Sequence, residues 1–600
     1  MSNKSTYLGT IISVSGASIT IELTPQVMSG LLVIEGKTHR IGQVGSFVRI
    51  PQGYNSLYGI ISETSEQYDE KNTISSASKR LLKVELVGEA IGTDFERGIS
   101  QFPSISEEVH LVTETDLNSI YGSSEKGQIV IGKLSSSDSI NVSIDLDNLV
   151  NKHSAILGST GSGKSTSVAS LLRSIVTSHS TDILMPSARI ILFDLHGEYA
   201  SALSDISNIF SISDINEEKK LFIPYWCVAP ESLIDFLCSS TPDLKSKFMD
   251  KIVQEKIEFS LKNPELNIKT DRITPYSPIP FRLKNIWYDL YFEDAVNWED
   301  KEMTIPAFSE KGDANTLKPP SFRPACTRAD AHVKKGDGGG RWKKNLDLMR
   351  SKLLDNQYSF FLEPGSWTPT TEFKINKDLS DLIYSWLGGE KPITILDLSG
   401  MPSERLDLLL GSMLNIIFES AIWGQNLDSG MKNTPLLLVM EEAHRYLSND
   451  NNGFSKAMVR RIAKEGRKFG VGSMLISQRP SEIDETILSQ CGTLFSLRIS
   501  NANDRGRVKS AMSDSLSGIV DSLPILRTGE AIVTGEAAKL PMRFKFRIPQ
   551  EGQFPNSHDP KVSESWSKKL TVHDFMDISE SWRAQEIYVK KEKDDGKKHS

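Results

Sequence analysis

The chain has 600 residues, 69 Lys and Arg against 77 Asp and Glu, and a net charge of −8; 38% of it is hydrophobic and 24% charged. At roughly 150 residues per domain this length predicts two to four domains with sizeable cores. The mild acidity excludes a global basic field, so any nucleic-acid site must be a local patch.

The four cysteines, Cys227, Cys238, Cys326 and Cys491, lie far apart with no CxxC pair. A cysteine-based zinc finger is therefore excluded, and the thiols read as bystanders in a reducing compartment. The N-terminus MSNKSTYLGT lacks an apolar signal core, and no run of 18 apolar residues occurs. Together these predict a cytoplasmic protein with no membrane span.

In chain order, the first elements are short strands: Tyr7–Val14, Ala17–Leu23, Gly45–Ile50, Leu57–Ser62 and Leu81–Glu89. Turn residues separate them, and this spacing predicts a small closed β-barrel over residues 1–115. Residues 122–139, rich in Ser and Gly, read as a connection. From about Leu149 strands alternate with helices. Ser154–Leu157, Arg189–Leu195, Pro392–Leu398, Pro435–Met440 and Ser473–Ile476 are apolar runs fit for buried parallel strands. Leu494–Ile499 and Glu530–Thr534 could add edge strands. This is the pattern of an α/β domain with a mostly parallel sheet. It is divided into residues 116–204 and 389–550.

Between them, 205–388 loses the strand pattern. Ser232–Phe259 and Lys343–Leu362 have helical spacing, and 307–341 is rich in Lys, Gly, Pro and Asp. We expect a helical insertion holding a mobile loop at 307–341. Residues 551–600 are expected to form a C-terminal helix or brace and a charged tail.

The chemistry concentrates at strand ends. Gly158-Ser159-Thr160-Gly161-Ser162-Gly163-Lys164-Ser165 fits GxxxxGK[ST], with an apolar strand before it and a helix from Thr166 after it. Glycines let successive N–H groups curl around phosphates, and the helix adds its positive end. Lys164 would reach the β- and γ-phosphates and the Ser165 hydroxyl would bind Mg²⁺. Leu436–Met440 ends in Glu441-Glu442, whose side chains should point opposite ways. We assign Glu442 as the base that polarises the attacking water and Glu441 to the metal. Asp194 and Asp397 end two other strands and face either the nucleotide or their own turns. Gln478 follows a further strand and could sense the γ-phosphate. Arg460, Arg461, Lys464, Arg467 and Lys468 share one helix, from which an arginine could reach a neighbour's nucleotide.

GSTGSGKS, FDLHGEY, ILDLSG, VMEEAHRYL, RRIAKEGRKFG and ISQRPSEID stand in the order seen in HerA-type ATPases, and LRTGEAIVTG is similar too. The chain resembles this family over roughly residues 5–115 and 130–550. One departure is Glu441, where many P-loop ATPases carry Asp. The resemblance implies a RecA-like core of the HerA/FtsK branch, an N-terminal HAS barrel and a homo-hexameric ring that translocates on double-stranded DNA. It makes ATP and Mg²⁺ the cofactors, Glu442 catalytic, Gln478 the sensor and Arg467 the first choice of trans finger, with Arg461 and Arg460 as substitutes. Relatives work with the nuclease NurA in DNA-end resection or beside an effector, a nuclease or sirtuin-type NADase, in anti-phage defence. The composition lacks a hyperthermophilic bias and tilts the expectation to the defence setting. The barrel is then the expected docking surface for the effector. Two alternatives are a nucleotide-regulated scaffold that activates the effector without translocating, and a conjugation-type secretion ATPase.

Overall fold

The computed structural model describes residues 6–584 apart from 28–29, 35–36, 68–78, 93, 122–126, 178–183, 215, 217, 240, 301, 327–331, 402, 450–451, 513–516, 557–561, 568 and 570. The charged tail expected beyond 584 lies outside the described residues.

The barrel forms as expected. Its strands are β1 (Tyr7–Ser15), β2 (Ser18–Leu23), β3 (Phe47–Gln52), β4 (Asn55–Gln67), β5 (Lys79–Ile91) and β6 (Glu108–Leu111). The antiparallel order β2-β1-β6-β3-β4-β5 closes on itself through β2–β5, where Ile19 faces Val84 and Ile21 faces Leu82. Alternation drives this closure: Ile19, Ile21, Val48, Ile50, Leu82 and Val84 point inward and are buried. Residues 108–111, absent from the expected strands, supply the staple β6 between β1 and β3.

The core is one sheet of eleven strands: β7 (Gln128–Leu134), β8 (Ser137–Asp145), β9 (Ser154–Leu157), β10 (Arg189–Asp194), β11 (Ser207–Ser211), β12 (Ile393–Asp397), β13 (Leu436–Met440), β14 (Val471–Ser477), β15 (Thr493–Ser496), β16 (Glu530–Gly535) and β17 (Met542–Phe546). The order is β8-β7-β17-β16-β15-β9-β14-β13-β10-β12-β11. From β15 to β11 every pairing is parallel; from β8 to β15 every pairing is antiparallel. The parallel part is the RecA-like P-loop core. All five strands expected there are present, buried on both faces. Ile190 and Leu192 join one hydrophobic cluster, Ile191 and Phe193 the other.

Four expectations need correction. Residues 122–139 are not merely a connection, because they contain β7 and the start of β8. Their Ser and Gly hid the alternation of Ile129, Ile131 and Leu134, which are buried. The runs at 494–499 and 530–534 form β15 and β16, which are interior strands; β8 and β11 are the edges. β11 at 207–211 extends the sheet into the range expected to be helical insertion. Residues 307–341 hold paired short strands where a mobile loop was expected: Phe308–Glu310 against Ser321–Phe322 and Trp298 against Lys334. The reason is aromatic: Phe308 and Phe322 stack at 5.1 Å, and Phe292 meets both rings and Trp298.

Helix α1 (Lys164–Val176) follows β9. The insertion carries α2 (Pro230–Cys238), α3 (Pro242–Lys262), α4 (Leu283–Ala295) and α5 (Lys343–Leu353). The helical spacing over 232–259 is carried by α2 and α3, which part before Pro242, a residue that cannot continue a helix but suits the first turn capped by the Thr241 hydroxyl. Trp226, Trp287, Trp342 and Phe281 pack this insertion onto one face of the sheet together with α6 (Ser403–Trp423). The other face packs on α1 and on Phe47, Tyr58 and Ile60 of the barrel. Arg405–Trp423 is the one helix among the described residues long and apolar enough to cross a membrane, although no 18-residue run is wholly apolar; 61% of that stretch is buried inside the protein.

Candidate nucleotide site

The GxxxxGK[ST] loop joins β9 to α1 at the carboxyl ends of the parallel strands, flanked by β14 and β15. Its shape is held by hydrogen bonds to neighbouring strands. The Gly158 N–H donates to Ser477 O at 3.1 Å and the Ser159 N–H to Arg498 O at 2.9 Å, tying the loop to both neighbours. Each carbonyl from Gly161 to Gly163 has a partner: Arg498 Nη2 donates to Gly161 O at 2.7 Å, Gly529 N–H to Ser162 O at 2.9 Å and Ser167 N–H to Gly163 O at 2.9 Å. The Gly158, Ser159 and Ser162 amides are bonded within the protein, and the planes held by their carbonyls leave the Gly161 and Gly163 amides for a phosphate. Gly161 at φ 72° and Gly163 at φ 86° supply the turns, and a Cβ on Gly163 would meet Gly529 N at 2.9 Å. The LRTG stretch 526–529 therefore buttresses the loop.

The two acids point opposite ways. Glu442 faces the loop: Lys164 Nζ donates to its Oε1 at 3.3 Å, and both residues are at least nine-tenths buried. Its backbone lies in the left-handed region, φ 46° and ψ 43°, a strained state for a non-glycine residue that reverses the chain after β13. Glu441 faces the other way, accepting the Leu195 N–H at 3.1 Å beside Asp194. Burial, and then the Asp194 charge and hydrogen bond, push the Glu441 carboxyl well above its ordinary range.

Asp194, a candidate for the nucleotide, is a turn cap. Its oxygens accept the N–H groups of His196, Gly197, Glu198 and Tyr199 at 2.8 to 3.3 Å, opening the short helix Tyr199–Leu203. A carboxylate with four backbone donors has little capacity left for a ligand. Tyr199 itself is fully buried beside Ser165, its hydroxyl without a hydrogen-bond partner; burial and the charges of Glu441, Asp194 and Glu198 raise its phenol well above the usual value. Ser165 thus stands before an acidic pocket. Glu198 Oε2 there is buried with no hydrogen bond. This donor set of hydroxyl and carboxylates fits a hard divalent cation carried in with phosphate. Among the described residues no three His, Cys, Asp or Glu side chains form a metal cage by themselves.

Gln478, just past β14, accepts the Thr160 hydroxyl at 2.8 Å and so touches the crest of the loop. Ser162 Oγ is buried without a partner and Thr166 lies half-buried in the first turn of α1. The basic helix is α7 (Phe454–Glu465), which runs back along the sheet. Arg460 pairs with Asp484 at 2.6 Å, and Arg461 with Glu419 at 3.0 Å and Glu465 at 3.7 Å. Arg467 is exposed in the turn that leads into the amino end of β14. The seven residues of β14, about 20 Å, separate it from Gln478 and its own P-loop. Sequence reasoning missed Arg498 and His444. Arg498 had one available signal, its place just beyond the carboxyl end of a strand beside the P-loop strand.

The family described as "Helicase HerA, central domain" matches residues 129–417. The chain is similar to the DNA double-strand break repair helicase HerA of Sulfurisphaera tokodaii, 28% identical over 480 residues, 79% of this chain and 80% of that one. It is also similar to the protein of the same name from Pyrococcus furiosus, 24% identical over 563 residues, 88% and 89% of the two chains. Among solved structures it is similar to VirB4 of Thermoanaerobacter pseudethanolicus, with a TM-score of 0.41 and 14% identity over 70% of this chain and 97% of that one. Through the central domain and along most of its length, the chain is thus similar to the HerA helicases.

Proposed function

We propose that this chain is an ATP-driven motor that moves along double-stranded DNA as a homo-hexameric ring. The observation that supports it best is the pre-shaped P-loop with Lys164 facing Glu442 across it. Nucleotide phosphates draw Lys164 away from Glu442, and the freed carboxylate takes the proton of the attacking water. Mg²⁺ arriving with ATP supplies charge neutralisation of the phosphates; Ser165 would hold it, with Glu441 behind. Gln478 exchanges Thr160 for the γ-phosphate. Arg467, remote from its own loop, serves a neighbour's nucleotide, which makes hydrolysis depend on assembly. Arg460 and Arg461 are poorer fingers because each already has an acidic partner.

The ring works in the cytoplasm with an effector, a nuclease or NADase, docked on the barrel, in anti-phage defence. A second reading is DNA-end resection beside a NurA-type nuclease, favoured by the relatives' names. In the scaffold alternative nucleotide only controls assembly. The test is ATP turnover with and without linear duplex DNA. We expect stimulation by DNA, and a loss of at least about 100-fold in Lys164→Ala and Glu442→Gln. Turnover indifferent to DNA and to both substitutions overturns the motor; the effector is sought by co-purification with and without residues 1–115.

A further inference from the structure

The carboxylate proposed as the base has a neighbour that none of the roles above uses. His444 lies two residues beyond Glu442, in the single 3-10 turn Ala443–Arg445 that the left-handed Glu442 initiates. That turn folds the imidazole back: Nδ1 is 3.2 Å from Glu442 Oε2 and 3.3 Å from Ser477 Oγ. His444 is 9% exposed and Glu442 5%. Burial pushes the imidazole below its ordinary value, against the opposing pull of the Glu442 charge. The two carboxylate oxygens then differ. Oε1 is held by Lys164, whereas Oε2 is buried with no hydrogen bond, its near neighbour Nδ1 bonding to Ser477 Oγ instead. A buried carboxylate oxygen left open is costly unless something is meant to occupy it. It is the acceptor an attacking water requires, and the His444 ring is the wall beside it.

Ser477 is the last residue of β14. Its carbonyl accepts the Gly158 N–H of the P-loop at 3.1 Å and its hydroxyl accepts the Arg479 N–H at 3.0 Å. Gln478 lies between those two residues. One imidazole nitrogen therefore touches both the strand end that carries the base and the strand end that carries the sensor.

We infer that His444 is a positioning residue: it fixes the direction of the Glu442 carboxylate and, through Ser477, ties that direction to the strand bearing Gln478. The inference rests on the hydrolase reading above. Its ring touches no phosphate; it acts through Glu442. The strained Glu442 backbone is what places the ring there, which gives the left-handed conformation a purpose.

The test measures kcat and KM for ATP in the full-length protein with duplex DNA, alongside binding of a fluorescent ATP analogue. His444→Ala is expected to lower kcat by about 10-fold or more, with KM and analogue affinity within about twofold, because a misdirected base harms the chemical step and not binding. His444→Asn, whose amide N–H can occupy the Nδ1 position, should recover most of that loss. Ser477→Ala should lower kcat by roughly threefold. Retained analogue binding reports an intact fold. If His444→Ala keeps wild-type kcat, if Asn is as poor as Ala, or if loss of kcat tracks loss of affinity, the assignment is overturned. Wild-type turnover no higher than that of Lys164→Ala instead overturns the hydrolase reading itself, and the assignment with it.

Discussion

The two ends of the parallel sheet are built on opposite plans. At the carboxyl ends of β9, β13 and β14, polar groups meet within the chain: Lys164 with Glu442, Thr160 with Gln478, Gly161 with Arg498. At the amino end of β14, Arg467 is exposed, while Arg460 and Arg461 nearby are ion-paired. One end is complete enough to hold a phosphate alone. The other leaves Arg467 exposed, and on the reading proposed above it would serve a neighbour's nucleotide. A ring that fires only when assembled requires this division, because a finger satisfied by its own chain would not report on a neighbour.

The strongest way to break the comparison is at its far end. Arg467→Ala should cut turnover by about 10³-fold or more while nucleotide binding stays near wild type. Mixing it with Glu442→Gln should restore part of the activity, since a mixed ring contains sites with an intact base facing an intact finger. Arg461→Ala should cost no more than about threefold, its exposed pairs being worth only about 0.5 kcal/mol. If Arg461→Ala is the silent partner in complementation instead, the assignment moves to α7.

A smaller effect sharpens the near end. Arg498→Ala frees the Gly161 carbonyl, so nucleotide affinity should fall by about 10-fold, the 1.4 kcal/mol of one charge-assisted hydrogen bond, with kcat within about twofold. Equilibrium titration with an ATP analogue measures it. A larger change in kcat than in affinity would make Arg498 a phosphate-contacting group and not a loop anchor.

The smallest effect concerns the raised carboxyl of Glu441 beside Asp194. Burial raises the folded pKa of Glu441, so between the ordinary carboxylate range and that raised value the native state holds a proton that the unfolded chain has released. Stability of the nucleotide-free protein should therefore fall as pH rises through this window. Glu441→Gln removes the titration, and its Tm should decline less steeply as pH rises above the ordinary carboxylate range. Equal slopes would show that Glu441 is ionised in the empty site.

Much of the nucleotide end was legible because its chemistry is carried by consecutive residues. Gly158 to Ser165 specify their own turn, and Glu441-Glu442 follow an apolar strand whose alternation sends them to opposite sides. Asp194 was not legible. The same strand-end acid could face a ligand or cap a turn, and only the four N–H groups of residues 196–199 decide for the cap. Arg498 and His444 were invisible for a related reason. Arg498 contacts residues more than 300 positions away, and the His444 ring reaches Ser477, 33 positions on, only when β13 and β14 lie side by side.

The same boundary runs through the fold. Alternating apolar residues and glycine punctuation were sufficient to predict the barrel, the five parallel strands and the P-loop, since these follow from local periodicity and backbone freedom. Residues 307–341 went the other way: polar composition read as mobility, yet Phe308 and Phe322 find Phe292 across the insertion. Composition cannot register a contact between distant aromatics. By itself the sequence determined which residues can cradle phosphate and polarise water. Only the tertiary structure decided which acid faces Lys164, which one caps a turn and which arginines are ion-paired or exposed, because those outcomes depend on strand order, and strand order is a property of the packed sheet.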